Sequence, residues 1–359
     1  MNGRGFRRVW GLGLGVVMAF AASAAQADQF PTNHQLAQSN VSLAVSGFRF
    51  GGGLQPDSSG KPSGNGMGVV PVQWWGSGFI VRSDGTLVTN YHVASKAISM
   101  QAIFDNGARY SIKHIKVYDP TRDLAVLKIN GTNQFRAAPL GDSNRVHPRD
   151  MVLAVGNPHG AGLNITEGKV TQVVRDDERH PVLIRHTAAI AGGNSGGALY
   201  EGHYVVGVNS ATWSGTQFHI AVPINEVKPL LASRYNRLLR LKNVFLPTLD
   251  NIRSRLKSVG SVSGTVPAAG SDGKPGQWTG TIQLNRLTDY LFIVRAAQQA
   301  DLNFVVATPQ KPIGLGATNA KGIEVVAISN EYATPASIIV VNPYNSPINM
   351  ALSVYKITW

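Results

Sequence analysis

A serine set among glycines, Gly192-Gly193-Asn194-Ser195-Gly196-Gly197, is the stretch of this chain best suited to chemistry. Glycine accepts positive φ and leaves room for close approach, so such a turn can aim the N–H groups of Gly193 and Ser195 at one point. Two amides so aimed stabilise the oxyanion of a tetrahedral intermediate, at about 3–4 kcal/mol per donor. The serine hydroxyl then needs a base to take its proton and an acid to orient that base. Thr89-Asn90-Tyr91-His92-Val93-Ala94 and Asp123-Leu124-Ala125-Val126-Leu127 offer both. Each residue alone has a structural use: a glycine-rich turn, one of nine histidines, a turn cap after Asp119-Pro120. Together they stand in the order His, Asp, Ser, which is one of the known triad orders.

The elements that must position these residues read as short strands. From Trp74 to Val222, segments such as Gly78 to Val81, Leu87 to Thr89, Leu124 to Ile129, Met151 to Val155, Ala198 to Tyr200 and Tyr204 to Asn209 alternate with turns such as Ser83-Asp84-Gly85. Regular short strands without intervening helices mean a sandwich or barrel. Separations of 31 and 72 residues let a first barrel carry His92 and Asp123 and a second carry Ser195. Upstream, Val41 to Val45 reads as a strand, and Gly51 to Gly68 is a loop dense in Gly, Ser and Pro. Downstream, Asn225 can cap a helix whose apolar face is Leu230, Leu231, Tyr235, Leu238 and Leu239. Pro247 breaks that pattern, and strands return from Gly260 to Trp359. The expected plan is all-β: a double barrel at 28–242 ending in a helix, a basic linker at 243–259, and a C-terminal β-sandwich-like domain at 260–359.

The N-terminus reads as an export signal at 1–27. Arg4, Arg7 and Arg8 precede an apolar run from Val9 to Phe20, and Ala25-Gln26-Ala27 is a small-x-small cleavage site. The run is too short to span a bilayer. The expected location is periplasmic or secreted, and the chain has no cysteine, so no disulfide helps its core. Lack of cysteine also excludes a thiol nucleophile and cysteine-ligated zinc. The histidines show no metal-ligand spacing, and no nucleotide-binding loop is present, so neither metal nor cofactor is expected. The mature chain keeps an excess of about ten positive charges, and eight Lys or Arg against one acid lie between Lys228 and Lys257. That excess suits contact with an anionic surface, or simply a solvated helix face and linker. Nucleic acid is not an expected partner of an exported chain.

The chain resembles the chymotrypsin-fold serine proteases of the bacterial high-temperature-requirement (HtrA, Deg) family. The motifs that carry this are Gly76-Ser77-Gly78-Phe79-Ile80, Val88-Thr89-Asn90-Tyr91-His92-Val93-Ala94, Asp123 to Lys128, Ala154-Val155-Gly156-Asn157-Pro158, Gly193 to Leu199, Val206-Gly207-Val208-Asn209 and Ile220-Ala221-Val222-Pro223. They run collinearly over about 74–225. The resemblance implies two six-stranded barrels with the site between them, His92 as general base, Asp123 as its orienter and Ser195 as nucleophile. The amides of Gly193 and Ser195 would form the oxyanion hole. Protein or peptide substrates are then the expected partners, and oligomers are common in that family. Thr187 stands where relatives usually carry an acid. No recognisable PDZ domain follows, although Ile313-Gly314-Leu315-Gly316 faintly resembles a PDZ carboxylate-binding loop.

In this fold the primary pocket is walled by Ala189, Ile190, Ser210 and Ala211, none of them charged, so small aliphatic side chains are expected there and Lys or Arg are not. Asn194 occupies the position where digestive proteases carry an aspartate that pairs with a newly cut N-terminus. The turn is therefore expected to be ordered by loop contacts, from Gly156 to Leu163 and Trp213 to Phe218. Two rivals remain. An α/β-hydrolase needs an acid and then a histidine well downstream of the serine, and Glu201, His203 and His219 lie too close to Ser195. A catalytically silent scaffold, binding through its C-terminal domain, is the alternative.

Overall fold

The structure is a computed structural model that describes residues 30–50, 55–56, 62–63, 69–131, 134–158, 161–212, 219–233, 238–245, 252–272, 274–286, 288–297, 300, 302–310, 312–316, 322–330 and 333–359. The expected export signal lies outside the described residues. So does most of the 51–68 loop, apart from two two-residue strands, Gln55–Pro56 and Pro62–Ser63.

Six strands form the first barrel: β1 (Asn40–Phe50), β2 (Val69–Arg82), β3 (Thr86–Thr89), β4 (Ala97–Ile103), β5 (Arg109–Asp119) and β6 (Leu124–Ile129). They run in the order β5-β4-β1-β2-β3-β6, and β6 closes on β5. Six more form a second closed barrel: β7 (Met151–Gly156), β8 (Asn164–Arg175), β9 (Pro181–His186), β10 (Ala198–Glu201), β11 (Tyr204–Thr212) and β12 (His219–Pro223). The fold is chymotrypsin-like. One buried cluster joins Phe79, Val88, Leu124 and Val126 to Val155, Ala198, Tyr200 and Val208. A second cluster fills the second barrel with Val152, Val170, Ile184, Ala188, Ile190, Leu199 and Ala221. Burial of such side chains is the main force behind these barrels, at about 1.5–3 kcal/mol per large residue.

Two stretches of the unit that carries the barrels differ from the sequence-based expectation. The polar run before Asn40 forms a helix, α1 (Asn33–Ser39), with a Thr32–Gln35 capping box. Leu36 enters the core, and Asn40 Nδ2 donates to the Tyr200 hydroxyl at 3.1 Å. A single buried apolar residue, Leu36, and the two buried polar residues Ser39 and Asn40 hid it from a periodicity reading. The helix expected from Asn225 is shorter than read. A 3-10 turn (Ile224–Glu226) leads into a helix of six residues, Val227–Ala232, and Leu238 and Leu239 are exposed.

Contacts divide the chain into two units, one of Met1–Val45, Trp74–Ala94 and Met100–Leu239, the other of Ser46–Gln73, Ser95–Ser99 and Arg240–Trp359. The second unit contains two four-stranded antiparallel sheets. One joins β13 (Leu256–Val266), β20 (Ile348–Ile357), β15 (Thr288–Ala296) and β18 (Ile323–Asn330). The other joins β14 (Gly276–Leu284), β19 (Thr334–Asn342), β16 (Asn303–Ala307) and β17 (Pro312–Gly316). Tyr290, Phe292, Phe304, Val306, Val326 and Ile338 share one buried cluster, as inward faces of a sandwich do. The segment 243–259 is not a bare linker: a helix covers Leu241–Phe245 and β13 begins at Leu256. The faint PDZ-like segment is β17. Also in this unit, Asp289 accepts from Lys96, Ser329 and the C-terminal Trp359, whose ring meets Phe48 at 5.5 Å.

Candidate active site

His92 sits in a four-residue helix, Tyr91–Ala94, just after β3. Trp74 Nε1 donates to the Val93 carbonyl at 2.9 Å and pins that turn. Asp123 sits directly before β6, with φ +57, a left-handed conformation that aspartate tolerates better than most residues. The chain holds it there by two bonds: Asn90 Nδ2 donates to its carbonyl at 3.0 Å, and the His92 backbone N–H donates to Oδ1 at 2.9 Å. The result brings His92 Nδ1 to 2.8 Å from Asp123 Oδ2.

Burial pushes the Asp123 carboxyl up. The His92 ring and backbone N–H, with the Ser210 hydroxyl at 2.7 Å, outweigh it and hold the carboxyl below the usual aspartate value. Asp123 is therefore an anion near neutral pH, fixed against one ring nitrogen of His92. That arrangement selects the tautomer with a proton on Nδ1 and makes Nε2 the acceptor nitrogen of the ring.

Ser195 lies between β9 and β10, in the turn the glycines build. Asn194 N–H donates to the Ala191 carbonyl at 3.0 Å, and Gly193 at φ +92 occupies the third position of this reverse turn, where only glycine is unstrained. Gly196, at φ +87, lies so close to the first barrel that a Cβ would come within 2.2 Å of the Ser77 carbonyl oxygen and Thr89 Oγ1. Both glycines thus have a physical reason. The Ser195 hydroxyl donates to the Ser210 carbonyl at 2.8 Å. A hydroxyl has one proton to give, so transfer to His92 requires Oγ to turn away from Ser210.

Of the residues expected to wall a pocket, Ile190 is buried in the second barrel's core, and Ala189 is exposed with its carbonyl bonded by Thr166 Oγ1 at 2.6 Å. Ser210 is buried, but its hydroxyl is spent on Asp123 and its carbonyl on Ser195, so it holds the site more than it walls a pocket. The side chain of Ala211 and the loop Trp213 to Phe218 lie outside the described residues. Sequence reasoning also gave no role to Ser77, which is buried and bonded to the glycine turn, or to Asn209. Ser77 stood in a quoted motif, but nothing local in Gly76-Ser77-Gly78 says that its hydroxyl meets a carbonyl 116 residues away. Among the described residues no group of His, Cys, Asp and Glu could hold a metal ion.

The trypsin-like peptidase domain family matches residues 76–208. The chain is similar to a probable periplasmic serine endoprotease, DegP-like, of Bartonella henselae, 38% identical over 151 residues, which cover 41% of this chain and 30% of that protein. It is 36% identical over 209 residues to the magnetosome formation protease MamE of Magnetospirillum gryphiswaldense, covering 53% of this chain and 27% of that one. The chain thus spans less than a third of the length of these relatives. Among solved structures, an HtrA-type protease, AlgW with decapeptide, is 27% identical, with 56% of this chain and 65% of that chain covered and a TM-score of 0.45.

Proposed function

From the premise that this chain carries a trypsin-like peptidase domain with DegP-like and HtrA-type homologues, we propose that it is an exported serine endopeptidase. In this reading Ser195 attacks the peptide carbonyl, His92 takes its proton and later returns it to the leaving amine, and Asp123 keeps the imidazole oriented. The amides of Gly193 and Ser195 hold the oxyanion, and an acyl-enzyme forms and is hydrolysed. The observation that carries the reading is the His92–Asp123 contact of 2.8 Å in one barrel, with Ser195 on a glycine turn of the other.

The pocket residues Ala189, Ile190, Ser210 and Ala211 offer no charge, so a Lys or Arg side chain would be buried unpaired there, and cleavage after small aliphatic residues is favoured at neutral pH. Unfolded proteins and peptides are the expected substrates. The C-terminal unit, with no histidine after His219, serves recognition and not chemistry. Location in the periplasm or outside the cell follows from the export signal and from the naming of the DegP-like relative as periplasmic.

The test is a fluorescent phosphonate that labels active serines, applied to the mature chain and to Ser195→Ala, alongside casein hydrolysis. Labelling and hydrolysis are expected in the wild type and not in the variant. A folded wild type that takes no label and cleaves nothing would favour the silent scaffold.

A further inference from the structure

The second barrel holds a titratable pair that the proposed triad does not use. β9 and β12 pair with Ile184 opposite Ala221 and His186 opposite His219. Ile184 and Ala221 pack in the same buried cluster as Ile190. Side chains on a strand repeat every second residue, so His186 and His219 continue that inward face one step further. Their ring centroids are 5.9 Å apart. β11 lies alongside, with Thr212 opposite His219 and Asn209 opposite Ala221. The next residue, Ser210, supplies the carbonyl that holds Ser195 Oγ. The pair therefore stands on β9 and β12, the latter next to the strand that carries Ser210.

Hydrogen bonding in this cluster is unfinished. His186 is fully buried, yet neither of its ring nitrogens has a partner, and His219 Nδ1 and Asn209 Oδ1 are buried and unpartnered as well. The Ala188 backbone and the Asn209 side chain lie near His186, but neither meets a ring nitrogen in hydrogen-bonding geometry. Buried polar atoms in native proteins are normally paired, and four together without protein partners mark a polar site that ordered water or the polar group of a ligand can complete. A neutral imidazole has one N–H to donate, so two rings suit a group with two acceptor oxygens.

We propose that His186 and His219, with Asn209, form the floor of the primary pocket and bind the side-chain carboxylate of a glutamate or aspartate at the cleaved position, one imidazole taking up a proton from solvent with it. This rests on the endopeptidase reading and refines its specificity. Burial, then the charge of His219, pushes His186 down to about 4, and burial also lowers His219. Both rings are thus neutral near pH 7, and the pocket then suits small uncharged side chains. As pH falls, the less buried His219 takes the proton and the imidazolium pairs with the carboxylate, leaving no net buried charge. Among the described residues no other charge meets the pair. β11 and β12 carry no Asp, Glu, Lys or Arg. Arg185 alternates away from His186 and donates to Gln172 Oε1 at 2.9 Å, while Glu167 and Lys169 of β8 are exposed.

The experiment uses the full mature chain and peptides that differ only at the cleaved position, carrying Val, Gln, Glu or Lys, assayed at about pH 7.5 and about pH 5.5. The Glu-to-Val ratio of kcat/KM is expected to rise as pH falls, by up to about tenfold per pH unit, the limit for one proton taken up with substrate. The Gln-to-Val ratio is expected to stay flat, and Lys to remain poor at both. In His219→Asn, partly exposed and so a mild change, the Glu-to-Val ratio should lose its pH dependence, whereas His186→Asn, which keeps the protonating ring, should lower the ratio and still show a rise as pH falls. Phosphonate labelling is measured in every sample. A wild type that labels but shows a pH-independent Glu-to-Val ratio overturns the inference and leaves the endopeptidase reading standing. So does a rise that persists in labelled His219→Asn. A wild type that neither labels nor cleaves removes both.

Discussion

The Ser77 hydroxyl donates to the Gly193 carbonyl at 2.7 Å and accepts from the Asn157 N–H at 3.0 Å. The Ser77 N–H in turn donates to the Ser195 carbonyl at 2.7 Å. One buried residue of the first barrel therefore grips the glycine turn on both sides of Asn194. Asn157, from the loop expected to order the turn, reaches it through the same hydroxyl.

An oxyanion site works only if its amides hold position before charge develops. Ser77→Ala frees the Gly193 carbonyl and is expected to lower kcat by about 10- to 100-fold with little change in KM. A peptide boronate, which mimics the tetrahedral intermediate, should bind more weakly in step with kcat/KM. Ser77→Thr, which keeps the hydroxyl, should recover part of the loss. A fall in the labelled fraction with unchanged turnover per labelled site would mean that Ser77 only supports folding.

Asp123 and Ser210 make a second prediction. Asp123→Asn presents the wrong partner to His92 and is expected to lower kcat by about 10⁴-fold. Ser210→Ala removes only the 2.7 Å bond to Oδ2. Bonds to a carboxylate favour its charged form, so this loss raises the Asp123 pKa and lets the carboxylate that orients His92 be neutralised at higher pH. The acidic limb of kcat/KM should move to higher pH, by less than about one unit. A pH–rate profile checks it, and a limb that stays put or moves down would be against it.

How much of this could be read from the chain depends on whether the signal was local. The residues of the proposed triad could be singled out because they sit in or beside runs that also make strand or turn: Leu124 to Ile129 is an apolar strand buried nearly throughout, and Gly193 and Gly196 adopt positive φ. The second all-β unit was legible for the same reason, with Asn303 to Ala307 found as read. Strand β13 was missed because Ser, Gly and Thr fill an edge strand that buries little. Helix α1 was missed because its cap and the buried Asn40 matter more than its periodicity. Ser77, Ser210 and the His186–His219 pair depend on which strands neighbour in space. Nothing within a few residues of each encodes that.

His186 should also leave a mark on stability. Burial holds its pKa at about 4, against 6.5 as the ordinary value. The unfolded chain therefore binds a proton that the folded chain refuses, between about pH 6.5 and pH 4. Stability present above that window is lost as pH falls through it, by up to about 3 kcal/mol for this group. Urea unfolding at steps of pH should show the loss. His186→Leu, which cannot titrate, should flatten the curve across that window, and an equally steep curve in the variant would assign the loss to other groups.

The last prediction concerns the resting state of the nucleophile. Ser195 Oγ is held at 2.8 Å by the Ser210 carbonyl, on the strand that the Asp123 contact anchors. Attack requires the hydroxyl to leave that carbonyl for His92, and a backbone carbonyl is a good enough acceptor to make this a choice between two states. Asn194, buried beside the serine with Oδ1 unpartnered, has no carboxylate to pair with a new N-terminal amine. Proteolytic trimming thus has nothing to act on, and the balance must be set by what fills the cleft. A bound peptide that occupies the Ser210 carbonyl would release Oγ and shift the population toward the competent rotamer. The mature chain, expressed with a blocked N-terminus, is therefore expected to be active without processing, and phosphonate labelling should accelerate with an added non-cleavable peptide and on mild heating. Ser210→Pro would disturb the strand, so the cleaner control is the peptide alone: its addition should raise the labelling rate before competition sets in at high concentration. A chain that is inert until cut to a defined new terminus, or whose labelling is only ever slowed by peptide, would refute the two-state reading.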